Sequence, residues 1–151
     1  MNTTQTEITW LLSKWTDLDI DTLYKILQLR QSIFIVEQNC PYLDADGLDP
    51  ATFHLMGYAD EQLCAYARIF PPKENRIAIG RVIVAPSFRG QGLGYLLMKE
   101  AHQQAQRIFG VQRFFVSAQQ HLAHFYQNLG YKICGNPYLE DNIPHVPMNC
   151  G

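Results

Sequence analysis

The chain has 151 residues, 47% hydrophobic and 17% charged, with a net charge of −2. That length fits one domain, residues 1–151, with enough burial to fold without disulfides or a metal. The composition excludes a disordered, collagen-like or coiled-coil chain, and the charge argues against nucleic acid as a partner. 

No apolar run approaches the roughly 18 residues of a membrane helix, so no membrane partner is expected. Met1 to Glu7 are polar and lack the basic-then-apolar order of an export signal. Cys40, Cys64, Cys134 and Cys150 form no C-x-x-C pair. Both features point to reduced thiols and a cytoplasmic protein.

Alternating Ile8, Trp10 and Leu12 predict a first strand. Asp19 or Asp21 caps a helix whose apolar face is Leu23, Ile26, Leu27, Ile33 and Phe34. A loop rich in Asp and Gly runs from Cys40-Pro41 to about Pro50. Its stretch from Asp44 to Asp49 fails the EF-hand template, because Gly47 falls fourth and position twelve is Leu55. Its aspartates read instead as capping and turn-forming residues. Strands at 53–59 and 62–70 flank an Asp60-Glu61 turn, and Pro71-Pro72 ends the second.

Ile77 to Ala85 is apolar apart from Gly80 and Arg81, as in a buried central strand. A helix opens at about Gln91 and closes at Gly110, with Leu93, Leu97, Ala101, Ala105 and Ile108 on one face. Residues 112–118 form a strand. A short helix ending at Gly130 follows, with Leu122, Phe125, Tyr126 and Leu129 on one face. Strands near 131–135 and 144–149 complete the order β-α-β-β-β-α-β-α-β-β. That order is α+β around a mostly antiparallel sheet, with a strand–helix–strand unit at 78–118 whose strands run parallel.

His121 and His124 lie three apart but have no third ligand nearby, so no metal is expected. The stretch Arg81-Val-Ile-Val-Ala-Pro-Ser-Phe-Arg-Gly-Gln-Gly-Leu-Gly94 carries more chemistry. A buried strand runs into a glycine-rich turn that opens a helix, gathering unpaired backbone amides around one concavity. Glycines remove the Cβ atoms that would block a phosphate, and Arg89 adds a cation at the rim. It is neither a Walker loop nor a dinucleotide fingerprint.

Arg89-Gly90-Gln91-Gly92-Leu93-Gly94 after Val82-Ile83-Val84-Ala85-Pro86 resembles the acetyl-CoA motif of the GNAT superfamily of N-acetyltransferases. Phe125-Tyr126-Gln-Asn-Leu-Gly-Tyr131 and the strand order extend the resemblance over nearly the whole chain. The ElaA-like group is the nearest, on Leu29-Arg30, Phe34 to Tyr42, Asp44-x-Asp46-Gly47 and Glu140 to His145. The chain departs from the group with Asn142 in place of a common Gly. It departs from the superfamily with Gln119 or Gln120 in place of an Asn.

The resemblance implies a GNAT-like fold, with helices flanking a sheet that is splayed at its centre. It also implies direct transfer of an acetyl group from acetyl-CoA, as co-substrate, to a primary amine of a small molecule or peptide. The pyrophosphate would rest on the amides of Gly90 to Gly94, beside Arg89, Gln91 and Leu93. Pantetheine would lie along Val82, Ile83 and Val84 and near Gln119, and an amide near Val82 or Ile83 would meet the acetyl oxygen. Tyr126 matches the superfamily's general acid, and from spacing alone it is an apolar-face aromatic. Glu37, Glu140 and His145 are the candidate bases. Each has a plainer reading: Glu37 pairs with Arg30, Glu140 is solvated, or His145 is a satisfied half-buried histidine.

The charge is uneven. Residues 1–75 carry five Lys/Arg against eleven Asp/Glu, and residues 76–151 seven against three. With Asp44, Asp46, Asp49, Glu37 and Glu140 near the entrance, a cationic acceptor is expected. Edge strands offer a route to a homodimer. Two other classes remain open at this point: a non-catalytic acetyl-CoA sensor, and an interaction domain whose glycine turn is purely structural.

Overall fold

The alternation of apolar side chains along the strands builds one sheet with two differently covered faces. A computed structural model describes residues 7–151; of the polar start read above, Met1 to Thr6 lie outside the described residues. The strands are β1 (Thr9–Lys14), β2 (Phe53–Ala59), β3 (Gln62–Ile69), β4 (Ile77–Val84), β5 (Phe114–Gln119), β6 (Lys132–Ile133), β7 (Tyr138–Glu140) and β8 (Ile143–Cys150). The helices are α1 (Ile20–Gln31), α2 (Leu93–Phe109) and α3 (Ala123–Gln127). The sheet order is β1-β2-β3-β4-β5-β8-β6, with β7 also paired to β8. Every pairing is antiparallel except β4 with β5.

One face packs α2 through Leu93, Leu97, Met98, Ala101 and Ala105, in contact with Leu55, Ile69, Ile77 and Ile79. The other packs α1 through Ile26, against Met56, Tyr66 and Ile83. Asp19 caps α1, its Oδ1 accepting from the Thr22 amide at 2.7 Å. Two expected boundaries shift. After Gln31 the chain widens into a π-helical turn, Ser32–Glu37, where β-branched Ile33, Ile35 and Val36 are crowded together. Helix α2 starts at Leu93 rather than Gln91, because Gly90 and Gly92 have φ of 78° and 75° and cannot continue a right-handed helix.

The sheet has one strand more than the sequence pattern suggests. β7 and β8 form a hairpin turned by Asp141 and Asn142, at φ 50° and 66°, the type I′ geometry that suits strand twist. The strand expected at 131–135 pairs only at Lys132 and Ile133.

His102 on α2 stacks on Phe114, with ring centroids 4.2 Å apart, and its Nε2 meets the Tyr131 hydroxyl at 2.6 Å. Burial lowers its pKa to about 4. A histidine lowered by folding contributes stability that is complete above its unfolded value, near 6.5, and is lost as pH falls through 4. Urea unfolding should therefore show a loss of ~1–3 kcal/mol between about pH 7 and pH 4 that His102→Gln reduces. An unchanged pH slope in that variant would assign the loss to other groups.

Candidate active site

The centre of the site is a gap in the sheet. β4 and β5 pair only at Ile77–Phe114 and Ala78–Phe115, then diverge. A β-bulge accompanies the divergence: Arg68 lies opposite Gly80 but Tyr66 opposite Ile83, so β4 holds one extra residue, and Arg81 sits at φ 50°. A bulge bends and twists its strand. It also resets the alternation, so Ile77 and Ile79 before it and Val82 and Val84 after it all belong to the α2 face. Arg81 is turned to the opposite face.

The backbone follows the same logic. Ala85 donates its amide to Cys64 O at 2.8 Å. Alternation then gives Ile83 the next bond to β3 and turns the amides of Val82 and Val84 into the gap. Of the two amides expected near the acetyl oxygen, Val82 is the free one. The gap opens into a cleft of about 700 Å³ whose lining includes Val82, Val84, Gln119, Tyr126, Glu140 and His145.

A second cavity, of about 390 Å³, lies where β4 runs into α2 and shares Val84, Arg89, Gly94 and Phe125 with the first. The first helical bond runs from Leu96 to Gly92, and the amides of Gly90 to Tyr95 donate to no backbone carbonyl. A Cβ built on Gly90 or Gly92 would meet nothing within 4 Å. Open space in front of unpaired amides at a helix N-terminus fits a pyrophosphate. Leu93 contributes its amide only, its side chain being core. Gln91 is exposed and lines neither cavity.

Arg89, the cation expected at the rim, is held in an ion pair. Its Nη1 donates to Glu37 Oε1 at 2.7 Å and its Nε to Val84 O at 3.2 Å. Glu37 is thus tied to Arg89, not to Arg30. Beside it, Gln119 Nε2 donates to Gln38 Oε1 at 3.2 Å. The π-turn therefore reaches both walls of the gap.

Tyr126 is fixed by the end of its short helix. Tyr131 donates its amide to Tyr126 O, and Gly130 at φ 96° donates to Gln127 O, a Schellman-type stop. The ring packs edge-on against Phe125 and Tyr131. Burial pushes the phenol well above its usual range, so the hydroxyl stays protonated throughout the physiological range. The group therefore carries its proton, and the same burial makes it a weaker acid than a free phenol.

On the far side, His145 is buried with its Nδ1 2.7 Å from Ile143 O. A carbonyl only accepts, which assigns the proton to Nδ1 and leaves Nε2 facing Glu140 Oε2 at 3.3 Å. Tyr138 stacks on the ring and its hydroxyl meets that of Ser117. Cys40 donates to Asp141 O at 3.0 Å, joining the loop after the π-turn to the β7–β8 hairpin.

The aspartates of the 44–49 loop are not a free acidic rim. Arg30 donates to Asp44 and Asp49, Arg68 to Asp46 and Asp49, and Arg81 to Asp44 and Asp46. Three cations balance three anions. Burial alone would raise Asp46, but Arg68 and the Leu48 amide outweigh it and hold the carboxyl at about 2. Of the five carboxylates expected at the entrance, only Glu140 lies outside an arginine pair. Periodicity missed Arg30, which sits fully buried on the apolar face of α1, one turn after Ile26. Its signal was an arginine at an apolar position upstream of three closely spaced aspartates.

The family described as Acetyltransferase (GNAT) domain matches residues 35–151. The chain belongs to the GNAT acetyltransferase family. Protein ElaA of Escherichia coli is 38% identical over 145 residues, spanning 93% of this chain and 95% of that protein. Its crystal structure superposes with a TM-score of 0.88 over 96% of this chain and 100% of that one, at 36% identity. An acyl-CoA N-acyltransferase from Pseudomonas aeruginosa superposes with a TM-score of 0.90 at 42% identity, over 96% of this chain and 100% of that one. The GNAT fold accounts for the open, mostly antiparallel sheet. Among the described residues no helix is long and apolar enough to cross a membrane, and no group of three His, Cys, Asp or Glu is placed to hold a metal.

Proposed function

We propose that this GNAT chain transfers an acetyl group from acetyl-CoA directly to a primary amine of a small molecule or peptide. The observation that carries the reading is the run of unpaired amides from Gly90 to Tyr95, continuous through shared lining with Val84, whose amide, like that of Val82, the β3 register turns toward the gap. Acetyl-CoA supplies the activated thioester. The α2 amides take its pyrophosphate, and the Val82 amide donates to the acetyl oxygen as charge develops there.

An alkyl ammonium titrates near ~10.4, so the acceptor must lose a proton before it attacks. His145 Nε2, its ring held in place through Nδ1, receives it, and the imidazolium so formed pairs with Glu140. Glu37 stays paired with Arg89 and holds the π-turn against the cofactor loop. Tyr126 donates a proton to the departing sulfur. Burial keeps that phenol protonated until the thiolate forms. With the 44–49 aspartates neutralised, preference for a cationic acceptor rests on Glu140 and Asp141, which line the cleft. Four free thiols support a reducing, cytoplasmic setting, and the outer edge of β1 offers pairing for a homodimer.

Calorimetry with acetyl-CoA, followed by CoA release across an amine panel, tests the reading. Gly92→Leu should abolish acetyl-CoA binding, because its Cβ projects into the phosphate space, while positive φ costs the fold only about 1–2 kcal/mol. No acetyl-CoA binding by the unaltered chain would refute the reading of the cradle. Binding without acceptor-dependent CoA release would make the protein a sensor.

A further inference from the structure

Arg81 occupies a backbone region that non-glycine residues rarely adopt, φ 50° in the middle of the central strand. Such strain persists only where surrounding contacts over-determine it, and it clusters at ligand-binding positions. Here the contacts aim the guanidinium. Nε donates to Asp44 Oδ1 at 2.8 Å, and Nη2 donates to Asp44 O at 3.1 Å and Asp46 Oδ2 at 3.4 Å. Nη1 donates to no described residue. The side chain is 19% exposed and lines the large cleft. Its Cζ lies 5.9 Å from the Phe34 ring and 5.7 Å from the Tyr42 ring, and both aromatics line the same cleft. The result is a guanidinium locked on two nitrogens, flanked by aromatic walls, with one donor arm left over.

We infer that Arg81 Nη1 is a specificity contact, donating to a neutral carbonyl oxygen that the acceptor carries a few bonds from its amine, as in an amino-acid amide or a peptide N-terminus. The inference rests on the acetyl-transfer reading. Val82, whose amide faces the gap, directly follows Arg81. Both residues line the one cleft, so an acceptor whose nitrogen attacks near the Val82 amide can present an oxygen to Arg81 Nη1. The oxygen is neutral because the surroundings leave no positive charge to spare. Arg30, Arg68 and Arg81 are balanced by Asp44, Asp46 and Asp49, and Glu140 and Asp141 also line the cleft. A carboxylate would sit beside Asp44 and Asp46 without a counter-charge of its own. A carbonyl needs only the free donor, whereas an acceptor that lacks the oxygen leaves that arm to water alone.

The test is CoA release by the full chain with L-alaninamide, free L-alanine and n-propylamine. Each kcat/KM is referred to its free-amine fraction, since α-amino groups titrate well below alkyl amines. Alaninamide should exceed propylamine by about 10- to 100-fold, the value of one charge-assisted hydrogen bond. Arg81→Lys keeps a cation for Asp44 but removes the free arm, so the gap should close while acetyl-CoA affinity stays unchanged. Should that variant fail to fold, the ranking in the unaltered protein decides alone. Equal transfer to alaninamide and propylamine, a gap that survives in Arg81→Lys, or a preference for free alanine over its amide would overturn this inference and leave acetyl transfer standing. Bound acetyl-CoA with no acceptor-dependent release from any amine would overturn both.

Discussion

Tyr126→Phe should lower kcat by about 10²–10⁴-fold with acetyl-CoA affinity almost unchanged, the range expected when one general acid is removed. The substitution keeps the ring, its edge-on contacts with Phe125 and Tyr131, and the backbone stop at Gly130. It deletes one hydroxyl that makes no hydrogen bond to any described residue and lines the cleft. Stability should therefore hold or rise slightly, since no internal bond is lost. Single-turnover measurements would isolate the chemical step. A variant with full activity there would return Tyr126 to a packing role.

Arg30→Met should be the most destabilising single change outside the apolar core, by about 3–5 kcal/mol in urea unfolding. Methionine fills the volume and keeps the helix, but it leaves Asp44 and Asp49 facing the interior with one cation fewer. Arg89→Met breaks an ion pair whose two side chains are 43% and 42% exposed, and should change stability by no more than about 1 kcal/mol. The contrast separates burial from pairing as the source of the effect. If the two variants were equally stable, the 44–49 loop would not depend on Arg30.

The fold was readable where apolar period and turn chemistry agreed. Asp19 before α1, the Asp60-Glu61 turn and the α2 stripe through Leu97, Ala101 and Ala105 each imply their element, and the structure contains all three. β7 was missed because Tyr138, Leu139 and Glu140 are all exposed and so carry no alternating burial. Its only signal was the Asp141-Asn142 pair, which turns the hairpin without glycine. The bulge at Arg81 was invisible for a related reason. Gly80-Arg81 reads as an interruption of an apolar run, and nothing local says that an extra residue restores the pattern beyond it.

At the site, the run of unpaired amides from Gly90 to Tyr95 was legible because it is backbone chemistry, written directly in the glycines. The loop aspartates were misjudged because their partners, Arg30, Arg68 and Arg81, lie from 14 to 37 residues away along the chain. Sequence distance hides a neutral cluster and displays only its sign. The same limit applied to Glu37, whose partner Arg89 is 52 residues distant.

The two halves of the sheet, β1–β4 and β5–β8, are joined by only two residue pairs at one end. There Arg76 reaches Asn149 at 2.9 Å and lies over the Phe115 ring at 4.4 Å, pinning the closed corner. Beyond that corner the two halves meet through side chains and the shared core under α2, with no backbone ladder between them. A cofactor that hydrogen-bonds the free edge of one half and packs against the other acts as a splint, completing a ladder the polypeptide leaves unfinished. Its binding energy then becomes cohesion between the halves, growing with the logarithm of cofactor concentration above Kd. Amide exchange along both walls of the gap, from Val82 to Val84 and from Val116 to Gln119, should therefore slow when acetyl-CoA is added.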